Sequence, residues 1–115
     1  MEQQQTTRQQ KIARQIQRDI AEIIQRDLSS ALRGTLVTVT TVRVSVDLAY
    51  AKIYVSVFPF EHAAQTLEVL EQHNKPIRGA LGNRMRNQVK SIPELQFFLD
   101  DSLEYIENID SLLKK

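Results

Sequence analysis

Isoleucines at 12, 16, 20, 23 and 24 recur at the three- and four-residue intervals of a helix with one buried stripe. Thr7, with Gln10 three residues on, has capping-box spacing at its start, and Gly34 is a natural stop after a loosening turn at Ser29-Ser30. The pattern then changes period. Leu36 to Val44 is rich in β-branched residues and reads as a strand. Its valines occupy odd positions at 37 and 39 but even positions at 42 and 44, so the strand needs a bulge near Thr40-Thr41 or burial on both faces. From Tyr50 to Phe58 the alternation is clean: Ala51, Ile53, Val55 and Val57 line one side, and Tyr50, Lys52, Tyr54, Ser56 and Phe58 the other. A short turn through Ser45-Val46-Asp47-Leu48 makes the two strands an antiparallel hairpin.

Pro59 ends the second strand, and Ala63, Leu67 and Leu70 restore a helical spacing. This helix should break at Asn74-Lys75-Pro76, because a residue before proline is driven out of the α region while proline suits the first turn of a new helix. Ile77, Leu81, Met85 and Val89, four apart, predict a third helix running towards Ile92-Pro93. Leu95, Phe97 and Leu99 alternate with Gln96 and Phe98 as a third strand. Asp101-Ser102-Leu103-Glu104 then looks like the start of a last helix carrying Leu103, Ile106, Ile109, Leu112 and Leu113. The expected organisation is a flexible arm over residues 1–10, a folded unit over 11–100 and an acidic C-terminal helix or tail over 101–115.

With 115 residues there is room for one core, which should bury roughly two thirds of the unfolded surface. The chain has no cysteine, which removes disulfides, thiolate catalysis and cysteine metal sites and fits a reducing cytoplasm. Neither a leader-like apolar start nor a membrane-length apolar run is present, so no membrane partner is expected and the default is a soluble cytoplasmic monomer.

Charge changes the picture most. The chain carries 15 Lys and Arg against 14 Asp and Glu, but they are unevenly placed. Residues 75–93 hold five basic groups and no acid, whereas residues 94–115 hold two basic groups and six acids. The five are Lys75, Arg78, Arg84, Arg86 and Lys90. An exposed helix normally intersperses acids, so an acid-free run points to an anionic ligand. Arginine supplies a planar fork matched to phosphate oxygens. Arg8, Lys11, Arg14 and Arg18 lie away from the isoleucine stripe of the first helix and would extend the same footprint if that helix lies alongside.

Other chemistry is weaker. Gly79-Ala80-Leu81-Gly82 has the letters of the G-x-x-G backbone clamp of KH domains, but the helical period continues through both flanks, so the glycines belong within a helix. Tyr50, Tyr54 and Phe58 beside Lys52 have the composition of a base-stacking face, although in so small a fold an aromatic stripe is expected to support helices. His62 and His73 lie too far apart to share a metal ion, and Asp100 and Asp101, consecutive in a strand, point to opposite sides. We expect no catalytic residue, no cofactor and no metal.

The element order helix, strand, strand, helix, break, helix, strand is that of a type II KH fold: α+β, a three-stranded sheet with helices on one face, followed here by a C-terminal helix. Within it, Arg18-Asp19-Ile20-Ala21-Glu22-Ile23-Ile24, Val37-Thr38-Val39-Thr40, the hairpin from Val44 to Val57, Pro93-Glu94-Leu95 with Phe97, and Asp100-Asp101-Ser102 resemble the bacterial ribosome-binding factor A family from about residue 8 to residue 113. The resemblance implies a non-catalytic cytoplasmic assembly factor that binds the immature small (30S) ribosomal subunit and its 16S rRNA. It also implies assistance in maturation of the rRNA 5′ end, departure before translation, and a link to cold-shock adaptation. Ribosomal proteins or other assembly factors are further expected partners. The family has an Ala-x-Gly kink between its central helices; here the matching positions read His73-Asn74-Lys75, followed by Pro76, and proline offers another route to the same break. The stretch from Arg86 to Ile92 is slightly longer than in many relatives, adding positive reach. Two other readings remain open at this point: a protein-interaction adaptor acting through the C-terminal helix, and a general RNA-binding regulator.

Overall fold

The isoleucine stripe is the buried side of a 21-residue helix, α1 (Thr7–Asp27), in a computed structural model that describes residues 7–100. Ile16, Ile20 and Ile23 are completely buried. At about 1.5–3 kcal/mol for each such side chain, this one stripe is a principal source of stability. Thr7 is already helical, so residues 7–10 belong to α1 and not to a flexible arm. Gln9 explains the extension, because its buried carboxamide donates from Nε2 to the carbonyl of Val44 at 3.1 Å. Residues 1–6 and the expected C-terminal helix from Asp101 lie outside the described residues.

α1 ends at Asp27, earlier than the glycine stop suggests, and overlapping turns carry the chain to Gly34. Gly34 has φ of 79°, a left-handed conformation in which a side chain would be strained. The hairpin follows as β1 (Leu36–Val44) and β2 (Tyr50–Phe58). Its register shifts between Val39 and Thr41, so the phase change of the valines is a bulge at Thr40. Val39 and Val42 can therefore both face the core while Thr40 and Thr41 stay partly exposed between them. At the hairpin end Leu48 takes φ of 60°, and the Ser45 hydroxyl accepts from the backbone N–H groups of Ala49 and Tyr50, both at 3.0 Å.

A cis Phe58–Pro59 bond leads into a single 3₁₀ turn, Phe60–His62, and then into α2 (Ala63–Gln72). The break falls at His73, one residue before the predicted segment, and α3 (Asn74–Met85) begins at once. Lys75 is helical despite preceding proline. Pro76 sits in the first turn of α3, where it has no N–H to give the Gln72 carbonyl and so cannot continue α2. His73 caps the interruption from both sides: its Nδ1–H donates to Val69 O at 2.9 Å, and its own carbonyl accepts from Ile77 N at 2.9 Å.

α3 is shorter than its apolar period implies. Both Gln88 N (2.8 Å) and Val89 N (3.2 Å) donate to the Met85 carbonyl, so the ladder tightens to an i→i+3 bond and stops. Val89 remains buried because this terminal turn carries it back onto the core. β3 (Glu94–Leu99) then pairs in parallel with β2, giving a three-stranded sheet of order β1-β2-β3. Helices α1, α2 and α3 all lie against the side carrying Ala51, Ile53, Val55, Val57, Leu95 and Phe97.

The aromatic stripe does not support helices, contrary to expectation. Tyr50 and Phe58 are 48% and 51% exposed on the other side of the sheet, and Phe98 is 38% exposed beside them. The small and branched residues of β2 pack more closely against helices than the mixed row of aromatics, Lys52 and Ser56 would.

Candidate nucleic-acid interface

The basic island proves to be three separate arrangements. Arg84 turns towards α1, where its Nη1 lies 3.3 Å from Asp19 Oδ1 and also bonds the Glu22 carboxylate. Asp19 is only 5% exposed, and Gln15 Nε2 donates to its second oxygen at 2.7 Å. The bond to Glu22, then the bond to Asp19, holds the Arg84 guanidinium pKa above its ordinary value. Arg84 is thus a strap between α3 and α1.

Arg78 turns the other way. Its Nε donates to Pro93 O at 3.1 Å and its Nη2 to Ile92 O at 2.6 Å, tying the segment before β3 to the side of α3. Together with Lys75, Gly79, Gly82 and Ile92 it lines an open groove of about 480 Å³. Both glycines lie inside α3, so no G-x-x-G loop is present. A methyl group at Gly79 would meet open space, whereas at Gly82 it would stand 3.3 Å from Cγ1 of Ile92.

Arg86 and Lys90 are exposed and lie beyond the end of α3, in the turn and loop that the predicted helix would have occupied. This relocation matters. Between them Gln88 contributes to a cleft of about 770 Å³ whose remaining lining comes from α1: Thr7, Arg8, Lys11, Ile12, Arg14, Gln15 and Arg18. The first helix therefore does lie alongside, and four cations far from Gln88 in sequence share one concavity with it. Arg8, Lys11, Arg14 and Arg18 are all exposed, and Arg18 donates to the Gln15 side chain, which fixes its direction along the cleft. Field lines from clustered cations in a concave wall reinforce one another, so a phosphate chain is the natural complement.

Sequence reasoning missed Gln15, Thr7 and Gln88 as lining residues. The signal for Gln15 was its place one turn before Asp19 on the polar side of the helix. Gln88 gave none, because it reaches the cleft only through the early end of α3.

The family model for ribosome-binding factor A matches residues 8–113. The chain belongs to that family. Ribosome-binding factor A of Christiangramia forsetii is 39% identical over 110 residues, covering 95% of this chain and 84% of the relative. That of Chlorobaculum tepidum is 40% identical over 108 residues, covering 93% and 88%. Among solved structures, the crystal structure of ribosome-binding factor A from Thermus thermophilus superimposes with a TM-score of 0.67 at 30% identity, covering 79% of this chain and 94% of that one. A Thermus thermophilus ribosome-binding factor A model fitted into a cryo-EM map of a 30S complex gives a TM-score of 0.63 at 31% identity, covering 77% and 91%. The ribosome-binding factor A fold of these relatives is thus the fold of this chain, with its interhelical break made by His73 and Pro76. No helix among the described residues is long and apolar enough to cross a membrane.

Proposed function

We propose that this protein binds the immature small ribosomal subunit through its 16S rRNA and assists maturation of the rRNA 5′ end without breaking bonds itself. The observation that carries the reading is the cleft in which Arg8, Lys11, Arg14 and Arg18 meet the turn between Arg86 and Lys90. Phosphates enter that cleft from solvent and replace counterions, while Arg86 and Lys90 hold the adjoining stretch of backbone. Lys75 offers a further contact on the far side of α3. Arg78 and Arg84 are instead engaged inside the fold by their carbonyl and carboxylate partners. The small subunit as ligand is supported by family membership and by the Thermus relative fitted into a 30S complex.

A non-catalytic role is supported by how the candidate acids and bases are used. His62 Nδ1 lies 2.7 Å from Thr35 Oγ1, His73 is bound to Val69 O, and Asp100 accepts from Thr40 Oγ1 at 2.6 Å. The first and last of these join distant segments, and the His73 bond closes the end of α2. The test is co-sedimentation of the protein with free small subunits at moderate salt, combined with the ratio of precursor to mature 16S rRNA in cells. A Lys11→Glu/Arg14→Glu/Arg18→Glu variant should lose sedimentation and raise the precursor share. Unchanged binding by that variant would remove the cleft from the mechanism.

A further inference from the structure

α1 borders a second hollow at its other end. About 460 Å³ in volume, it is walled on one side by Ala21, Ile24, Leu28 and Leu32 and on the other by the start of β1, Leu36 to Val39. No acidic side chain lines it among the described residues, and Arg33, at the turn into β1, is its one cation. The rise along α1 from Lys11 to Gln25 is about 21 Å, so this hollow and the rRNA cleft can be filled at once.

What sets the hollow apart is a strand edge. β1 is the outer strand of the sheet, with β2 as its neighbour. Val55 accepts from Asp100 N–H on the β3 side, so Val39, its partner in register, turns its own N–H and C=O away from β2. Gln17 on α1 marks the same direction, since its Nε2 donates to Val39 O at 3.1 Å. Two residues earlier Val37, opposite Val57, presents an outward N–H and C=O in turn. Thr35 N–H is closed by Leu32 O at 3.0 Å and Val39 O by Gln17. Between them no described residue bonds the Thr35 C=O, the Val37 N–H and C=O, or the Val39 N–H.

A sheet edge is ordinarily guarded by charge, proline, a bulge or a covering side chain. Here Gln17 and the bulge at Thr40 guard β1 only from Val39 onward. Leu36-Val37-Thr38 has neither charge nor proline, and Leu36 is 65% exposed.

We infer that this edge takes an extended segment of another protein as a fourth strand. Antiparallel addition, the more stable of the two directions, closes two hydrogen bonds at Val37 and continues to Thr35 and Val39. Apolar side chains at alternate positions of the segment enter the hollow against Ile24, Leu28 and Leu32, and those between them lie beside Leu36. The C-terminal end of the segment then reaches Arg33, which has no hydrogen-bond or ion-pair partner among the described residues. A carboxylate there completes the match. A second copy of this chain fits less well, because β1 contains no acid to meet Arg33.

The probe is a hexapeptide of alternating isoleucine and threonine ending in glutamate, acetylated and amidated at its ends and titrated into the isotope-labelled full chain. The Val37 and Val39 amides should shift and gain protection from solvent exchange. Thr38, whose N–H faces β2, should respond less, and Arg14 and Arg18 should not respond. Methylating the peptide nitrogen that pairs with Val37 O should abolish the shifts. Val37→Pro, which removes the outward donor at an edge position that tolerates proline, should do the same. Glutamine in place of the glutamate should weaken binding about two- to fivefold, and Arg33→Glu should reverse the preference towards a lysine-ended peptide. Equal binding by the methylated peptide reduces the hollow to a nonspecific apolar patch and overturns the inference, as does the absence of shifts at millimolar peptide. Shifts of Val37 and Val39 that follow protein concentration alone make a second copy the occupant, and a stronger response to a ten-nucleotide oligouridylate makes it RNA. Either result overturns the inference as well.

Discussion

Arg84 and Asp19, 65 positions apart, join the third helix to the first through a 3.3 Å contact between guanidinium and a nearly buried carboxylate. A charge that the local sequence presents as free for a ligand is an internal fastening. Replacing Arg84 by Met should lower the thermal midpoint, because among the described residues Asp19 then keeps only Gln15 as its side-chain donor. Asp19→Ala should cost less when made in the Arg84→Met background than alone, and a double-mutant cycle by thermal denaturation measures that coupling. Small-subunit affinity of the folded Arg84→Met protein should change less than twofold.

Affinity for rRNA should depend steeply on salt. Six phosphate contacts, as proposed for Arg8, Lys11, Arg14, Arg18, Arg86 and Lys90, would give a slope of log affinity against log salt of roughly −4 for single-stranded RNA. Each alanine substitution in this set should make the slope shallower by about 0.7, and Arg84→Met should leave it alone. Binding titrations at four or more salt concentrations decide the matter.

Gly79→Ala should stabilise the protein by about 0.5–1 kcal/mol, since a methyl group there meets nothing and a glycine inside a helix wastes backbone entropy. Gly82→Ala should gain less, because the new methyl presses on Ile92. Chemical denaturation ranks the two. Unaltered RNA binding by Gly79→Ala would confirm that no backbone clamp operates at these glycines.

Asp47 should make hairpin stability depend on pH. Its carboxylate accepts from the Ser45 hydroxyl at 2.7 Å and from Ala49 N–H at 3.1 Å, the hydroxyl bond being the larger cause of a pKa below the ordinary aspartate value. A depressed folded pKa contributes stability above the unfolded value, about 3.9, and that contribution fades as pH falls through the folded pKa. The denaturation midpoints of wild type and Asp47→Ala should therefore differ by a constant amount from pH 7 to pH 5 and converge below about pH 4. A difference that persists undiminished at pH 2 would assign the effect to something other than this carboxylate.

Local periodicity carries far in this chain, and its failures share one cause. The valine phase change at Thr40 and the Tyr50–Phe58 alternation are properties of neighbouring residues, and both are found where expected. Proline at 76 announces the break and helps to make it, although the break itself falls three residues earlier, at His73. What neighbours do not report is which distant element answers them. The acid-free run conceals its counter-ions in α1 and its acceptors at Ile92 and Pro93. Alternation in β2 distinguishes two sides without saying which one meets the helices, but Lys52 and Ser56 among the aromatics were the readable sign that this side faces outward. Val89 continues the α3 period and still falls outside the helix, because a hydrogen-bond change at Met85, not a loss of hydrophobicity, ends it.

The four cations that line the cleft all stand on α1, while Gln88 reaches it from the other half of the chain. Its charge is therefore laid down with one helix, and only its concavity waits for the finished fold.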